Sequence, residues 1–146
     1  MMSIHVADQT WFAVPARVLA AVFAQAQSWP QMWPDLQLEV LTDRGDKGMR
    51  WTVTGALVGN MEVWLEAVDT DGDATGESGT VLHYFLRADV PGPDGLPRPV
   101  PPRRAAAETA RRHRDAKRFA LTLKRHLEGG RAPGEPPHHD GPAPAG

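Results

Sequence analysis

The stretch from Arg103 to Glu128 constrains the fold more than any other feature, because it runs for 26 residues without a glycine or proline. At about 100° per residue, its apolar side chains fall in one stripe and its charged side chains lie opposite. The stripe consists of Ala105, Thr109, Ala116, Phe119, Ala120, Leu123 and Leu127. Two glycines end the stretch. The pattern predicts a long C-terminal helix that buries one face against the rest of the chain.

Two residues interrupt this stripe. Arg112 lies inside it and His113 lies at its edge. A guanidinium on a covered face requires a partner or a route to water, which makes Arg112 a candidate ligand-binding residue. The alternative is that its stem packs while its head group reaches solvent.

Charge is distributed unevenly along the chain. Residues 1–90 carry 5 basic and 12 acidic side chains, whereas residues 103–128 carry 9 basic and 3 acidic side chains. The basic helix could bind nucleic acid, or it could be the solvated outer face of a helix docked on an acidic domain. The helical wheel favours the second interpretation, so we do not expect a nucleic-acid partner.

The rest of the chain reads mainly as strands. An extended segment up to Val14 precedes a helix that starts at Pro15, and Ser28 can cap a second, short helix that ends before Pro34. Alternating apolar and polar residues predict antiparallel strands over 35–43, 49–54 and 61–67. The apolar run 80–88 is typical of a strand buried on both faces.

Domain boundaries follow from composition. Residues 1–128 form one α+β domain in this interpretation, with a stiff proline-rich connector at 91–102. Residues 129–146 are mostly Pro, Gly and Ala, and we expect them to be disordered. The chain has no apolar run of about 20 residues and no basic or apolar leader, so we expect neither a membrane span nor a secretory signal. It also has no cysteine. By elimination, we expect a cytoplasmic location.

Several segments resemble a known superfamily. They are Val14–Val18, Trp29–Pro34, Arg50–Val53 and Glu62–Glu66. In order and spacing they are similar to the SRPBCC superfamily of START-like, helix-grip domains, and in particular to its polyketide cyclase/dehydrase branch. The resemblance covers roughly residues 5–128 and implies a curved antiparallel sheet of about five strands or more, wrapped around the C-terminal helix.

The resemblance also implies a ligand. Members of the superfamily hold an apolar molecule between sheet and helix, and some bind lipids while others cyclise aromatic polyketides. We therefore expect an apolar, aromatic or lipid-like small molecule as the ligand. Only five strands are evident where the family commonly has six or seven, which leaves the cavity open or closed by a second copy in a homodimer.

The side chains expected to line this cavity are mainly aromatic, because flat apolar ligands stack on aromatic rings. They are Trp33, Trp51, Trp64, Phe85, Arg112, Phe119 and Leu123. Which face of the central hairpin points inward depends on its register. Pairing Trp51 with Val63 turns the apolar residues inward, whereas pairing it with Glu62 buries two carboxylates, so the first is favoured.

A catalytic alternative rests on His83 and Arg87. His83 in a strand could act as a general base, and Arg87 on the same face could hold an enolate or carboxylate, as in a polyketide cyclase or dehydratase. The alternative is a hydrogen-bonded core histidine. No metal or cofactor is expected, since the acidic segment 69–73 lacks the glycine and glutamate that a calcium loop needs and no phosphate-binding glycine loop is present.

Overall fold

The computed structural model describes residues 2–68 and 79–129. The acidic segment 69–73 and the tail beyond residue 129 lie outside these residues. Helices and strands in the described part follow one another as β1 (Ile4–Phe12), α1 (Ala16–Phe23), a 3-10 helix (Ala26–Gln31), β2 (Leu36–Asp43), a 3-10 turn (Gly45–Lys47), β3 (Gly48–Gly55), β4 (Val58–Val68), β5 (Gly79–Pro91), β6 (Pro97–Arg98) and α2 (Pro102–Leu127).

The strands form one curved antiparallel sheet with the order β1-β5-β4-β3-β2. The long helix α2 lies across one face of this sheet, which we call the inner face. Side chains alternate between the two faces, as the pleat requires. The inner face carries the apolar residues of every long strand, and Trp51 and Tyr84 at its centre are fully buried. The α+β helix-grip architecture expected from the sequence is therefore confirmed.

The register of the central hairpin, β3 with β4, determines which of its side chains point inward. Trp51 pairs with Met61 rather than with Val63 or Glu62, because the turn after β3 is tighter than either expected register allows. Met61 and Val63 are two positions apart on β4 and therefore point to the same face of the sheet. The apolar residues of the hairpin thus face inward, which is the alternative that the sequence favoured. Glu62 lies on the outer face.

Two local expectations are corrected, for β5 and for the short helix after α1. β5 is not buried on both faces, since Leu82, Tyr84 and Leu86 are buried while the residues between them are only half-buried. Within the proline-rich connector, Pro97 and Arg98 form the short strand β6 against the end of β5. The short helix after α1 is a 3-10 helix that begins at Ala26 and has no side-chain cap, so Ser28 does not cap it.

The helix α2 packs closely against the sheet. Its buried apolar positions are all alanines, namely Ala105, Ala116 and Ala120. Small side chains at these positions bring the helix axis close to the sheet, so large side chains from other elements fill the remaining space. In the part of the chain that the structure describes, no helix is long and apolar enough to cross a membrane.

Candidate functional site

Four aromatic rings meet on the inner face between α1, the 3-10 helix, β3 and α2. Phe23 lies 6.4 Å from Trp51 and 6.3 Å from Phe119, measured between ring centroids. Trp29 meets Trp51 edge-on at 5.6 Å. These tilted and edge-to-face contacts are the geometries that aromatic pairs prefer. We call Phe23, Trp29, Trp51 and Phe119 the inner aromatic cluster.

The indole of Trp51 has an unusual electrostatic environment. The side chain is fully buried, yet its Nε1 donor has no hydrogen-bond partner among the residues that the structure describes. The two neighbouring tryptophans are satisfied, because Trp29 donates to the carbonyl of Phe23 at 2.8 Å and Trp33 donates to that of Arg112 at 3.0 Å. An unsatisfied buried donor costs about 1–3 kcal/mol, so it calls for a specific explanation.

A groove on the protein surface adjoins the inner aromatic cluster. It has a volume of about 740 Å³ and runs between α2 and the segment that follows the 3-10 helix. Met32, Pro34 and Phe119 supply its apolar wall, and charged residues including Arg111 and Arg118 lie at its rim. Phe119 belongs to both the groove and the inner aromatic cluster.

The core around the inner aromatic cluster is packed with large side chains. Trp33, Trp51 and Tyr84 are among the largest fully buried side chains of the described residues, together with Phe12 and Leu19. The expected ligand residues Trp51 and Phe119 both belong to the cluster, and Leu123 packs against the same core. A ligand of this cluster must therefore bind in the adjoining groove or displace part of the core.

The buried guanidinium of Arg112 is paired with two carboxylates. It is 1% exposed and donates through Nη1 and Nη2 to both carboxylate oxygens of Asp35, with 2.6 Å from Nη2 to Oδ2, while its Nε donates to Glu108 at 2.8 Å. The hydrogen bond from Arg112 lowers the pKa of Asp35, and that from Arg111 lowers the pKa of Glu108. The guanidinium thus joins α2 to the residue that precedes β2, and its role as a ligand residue stays a prediction.

A second polar cluster was missed by sequence reasoning. Tyr84 donates to Asp8 at 2.8 Å, and the Lys117 ammonium lies 3.0 Å from the same carboxylate oxygen, with His113 at 3.4 Å. Burial alone raises the pKa of Asp8, but these hydrogen bonds outweigh it and leave the pKa below its ordinary value. Burial also raises the pKa of Tyr84. A charged residue at an inward position between Val6 and Thr10 was the available indication in the sequence.

The remaining expected site residues lie on the outer face. His83 stacks on Trp64 with 4.3 Å between ring centroids, and its ring is parallel to that of Phe85 at 6.5 Å. His83 Nε2 lies 2.9 Å from a carboxylate oxygen of Glu66. Arg87 is on the same face, separated by the sheet from Arg112 and the inner aromatic cluster. These residues therefore lie on the opposite face of the sheet from Trp33 and Phe119.

The basic residues of α2 are partly neutralised. Of its nine lysines and arginines, five lie within 4.0 Å of a carboxylate within the described ranges: Arg111, Arg112, Lys117, Arg118 and Lys124. This favours the interpretation of a docked helix over that of a nucleic-acid surface.

Comparison with solved structures identifies the fold. A protein from Deinococcus radiodurans, DR_A0006, is 13% identical, with 87% of this chain and 99% of that chain covered and a TM-score of 0.55. The solution structure of the Aha1 dimer from Colwellia psychrerythraea is 12% identical, with 88% and 99% covered and a TM-score of 0.58. An aromatase/cyclase, Zhui, from a Streptomyces species is 19% identical, with 90% and 98% covered and a TM-score of 0.44.

No family model matches the chain, and no curated protein matches it. The structural likeness confirms that the chain has the helix-grip fold. Fold does not fix function, so the activity has to be argued from the site.

Proposed function

We propose that this protein binds an apolar aromatic small molecule that carries a hydrogen-bond acceptor, at the inner aromatic cluster. The observation that carries the proposal is the unpartnered Nε1 of the fully buried Trp51. A carbonyl or hydroxyl oxygen on the ligand would accept this hydrogen bond, which recovers the cost of the unsatisfied donor. Rings around the donor supply apolar contact area and favourable ring–ring geometry.

The groove beside α2 supplies the entrance. Its volume of about 740 Å³ suits a small molecule. Its apolar wall leads through Phe119 to Phe23, and from there to Trp51. Because the cluster itself is packed, the ligand displaces the 3-10 helix Ala26–Gln31, none of whose residues is fully buried. The charged rim of the groove stays in water.

A matched pair of ligands tests the proposal. 2-Acetylnaphthalene carries a carbonyl acceptor, and 2-ethylnaphthalene has nearly the same shape without one. We expect calorimetric titration to show that the ketone binds at least tenfold more tightly. Trp51→Phe should remove this preference while keeping weak binding of both compounds, and Trp64→Phe on the outer face should leave it unchanged. Equal affinity of the wild-type protein for both compounds, or no binding of either, would refute the proposal.

The catalytic assignment of His83 and Arg87 stays a prediction. Their position on the outer face separates them from the inner aromatic cluster, so turnover there would be a different activity from the binding proposed above.

The homodimer expected from the sequence is a separate proposal. The exposed residues Val40 and Leu41 lie on the edge strand β2, which offers an unpaired backbone to a second copy. Sedimentation equilibrium tests it, and a monomer at high concentration would contradict it.

A further inference from the structure

The outer face of the sheet contains a pocket that the proposed function does not use. It has a volume of about 350 Å³ and is lined by side chains from β2 to β5. The residues that line it are Leu41, Arg50, Trp51, Asn60, Met61, Glu62, Phe85 and Arg87. We call it the outer pocket.

An aromatic ring of fixed orientation forms part of the outer pocket. Phe85 is half-buried, and its ring is parallel to that of His83 within 1°. His83 is itself held between Trp64, on which it stacks, and Glu66, to which it hydrogen-bonds. The neighbouring side chains therefore limit rotation of the Phe85 ring, which presents a stable surface to a planar molecule.

Two guanidinium groups flank this ring. The register places Glu62 opposite both Arg50 and Phe85, and it places Arg87 opposite Asn60. Glu62 is shared by two arginines, at 3.3 Å from Arg44 and 3.6 Å from Arg50.

Arg87 is not neutralised. Within residues 2–68 and 79–129 no carboxylate lies within 4.0 Å of its side chain, and its only polar contact there is at 3.4 Å, to the ring of His5. The charged groups that line the outer pocket are Arg50, Arg87 and Glu62. Their sum is positive, although residues 1–90 as a whole carry 5 basic and 12 acidic side chains. A local positive charge beside an aromatic ring selects an anion with a planar apolar body.

We propose that the outer pocket binds a planar aromatic carboxylate. The ring of the ligand stacks on Phe85, and its carboxylate accepts hydrogen bonds from the guanidinium of Arg87, with Arg50 contributing charge from the opposite side. The amide of Asn60 lies beside Arg87 and can donate to the same carboxylate. A volume of about 350 Å³ accommodates a molecule of one or two fused rings.

The same face could be considered for single-stranded nucleic acid, since bases also stack on exposed rings. Glu62 and Glu66 lie on it between the aromatic residues, however, and would repel the phosphates that connect successive bases. An isolated aromatic monoanion in the outer pocket meets only Glu62, whose charge is offset by Arg44 and Arg50, because Glu66 does not line this pocket.

The test uses 2-naphthoate and its uncharged analogue 2-naphthamide. Calorimetry should show saturable binding of 2-naphthoate that is at least tenfold tighter than that of the amide, and Arg87→Gln should weaken it at least tenfold. The control Arg114→Gln, at an exposed position of α2, should leave the affinity unchanged.

Three results would overturn the proposal. One is the absence of saturable 2-naphthoate binding up to millimolar concentration. Another is binding that Phe119→Leu weakens and Arg87→Gln does not, which would place the anion at the inner aromatic cluster instead. The third is displacement of 2-naphthoate by a short single-stranded oligonucleotide at lower concentration, which would assign the face to nucleic acid.

Discussion

Replacing Trp51 with Phe should cost the folded protein little or no stability, although Trp51 is fully buried. The substitution removes the unpartnered Nε1 donor and so relieves a penalty of about 1–3 kcal/mol. The smaller ring lacks two carbons and the nitrogen of the indole, so it loses roughly 2 kcal/mol of burial, at about 0.8 kcal/mol per buried methylene-sized group. The net change in the free energy of unfolding therefore ranges from a loss of about 1 kcal/mol to a gain of about 1 kcal/mol.

Trp33→Phe is the matched control. Trp33 is equally buried, but its Nε1 donates to the carbonyl of Arg112 at 3.0 Å. The substitution loses about 1 kcal/mol from the hydrogen bond and roughly 2 kcal/mol from the smaller ring, so we expect a destabilisation of about 3 kcal/mol. The two variants should thus differ by roughly 2–4 kcal/mol although the chemical change is identical.

Urea unfolding followed by far-ultraviolet circular dichroism measures both changes, because this signal does not depend on the altered tryptophans. The slope of the free energy against urea should match that of the wild-type protein, which shows that only stability has changed. Equal destabilisation of the two variants would refute the reasoning, since it would mean that the Trp51 donor is satisfied in solution.

The remaining predictions concern the ion pairs and the sheet. Asp35→Asn should destabilise the protein by about 2–4 kcal/mol, because it leaves the buried Arg112 with one carboxylate partner. The control Asp115→Asn on the helix surface should cost less than about 1 kcal/mol. Thermal unfolding of the two variants measures this difference. Three carboxylates have a pKa below their ordinary values of 3.8 or 4.5 in the fold, so the stability that they contribute is complete above those values and is lost as the pH falls through the folded-state pKa values. The free energy of unfolding, measured at decreasing pH, should fall in the wild-type protein and should fall by less in Asp35→Asn. An equal fall in the two proteins would contradict this prediction. Gly59→Ala should prevent normal pairing of β4 with β5, because its Cβ would lie 1.9 Å from the carbonyl oxygen of Arg87; native-like stability of this variant would contradict the register.

The sequence predicts the fold well wherever buried side chains recur at the regular spacing of a strand or a helix. The alternation through Met49, Trp51 and Val53 assigns their inward face, and a slip of one register would bury Glu62. The pairing itself was wrong because it depends on the turn at Gly55, where the backbone adopts a φ of 104°. Turn geometry of this kind is poorly encoded in hydrophobic periodicity.

The site was less predictable because its contacts join distant parts of the chain. Arg112 was singled out as a charge in an apolar stripe, but its partner Asp35 lies 77 positions away. The aromatic residues were assigned to one cavity by composition, whereas alternation along β4 and β5 places Trp64 and Phe85 on the outer face. The missing partner of Trp51 is a property of the packed core that no local pattern reveals.

The anchoring of α2 determines which element can move to admit a ligand. Lys117 reaches Asp8, Lys124 donates to the carbonyl of Trp11 at 2.6 Å, and Arg112 holds Asp35, so the helix is tied to the rest of the fold along its length.

The 3-10 helix Ala26–Gln31 is attached more weakly, because no side chain caps it and it contains Pro30. Trp29 connects it to the core through a hydrogen bond to the carbonyl of Phe23 and an edge-on contact with Trp51. Displacing the segment costs about 1 kcal/mol for this hydrogen bond and the partial burial of Trp29, whereas releasing α2 breaks several ion pairs together. We therefore expect the amides of this segment to exchange with solvent far faster than those of the middle of α2, and 2-acetylnaphthalene to slow that exchange. If exchange is instead fastest in α2 and the ligand slows it there, the entrance lies beneath the helix and not beside it.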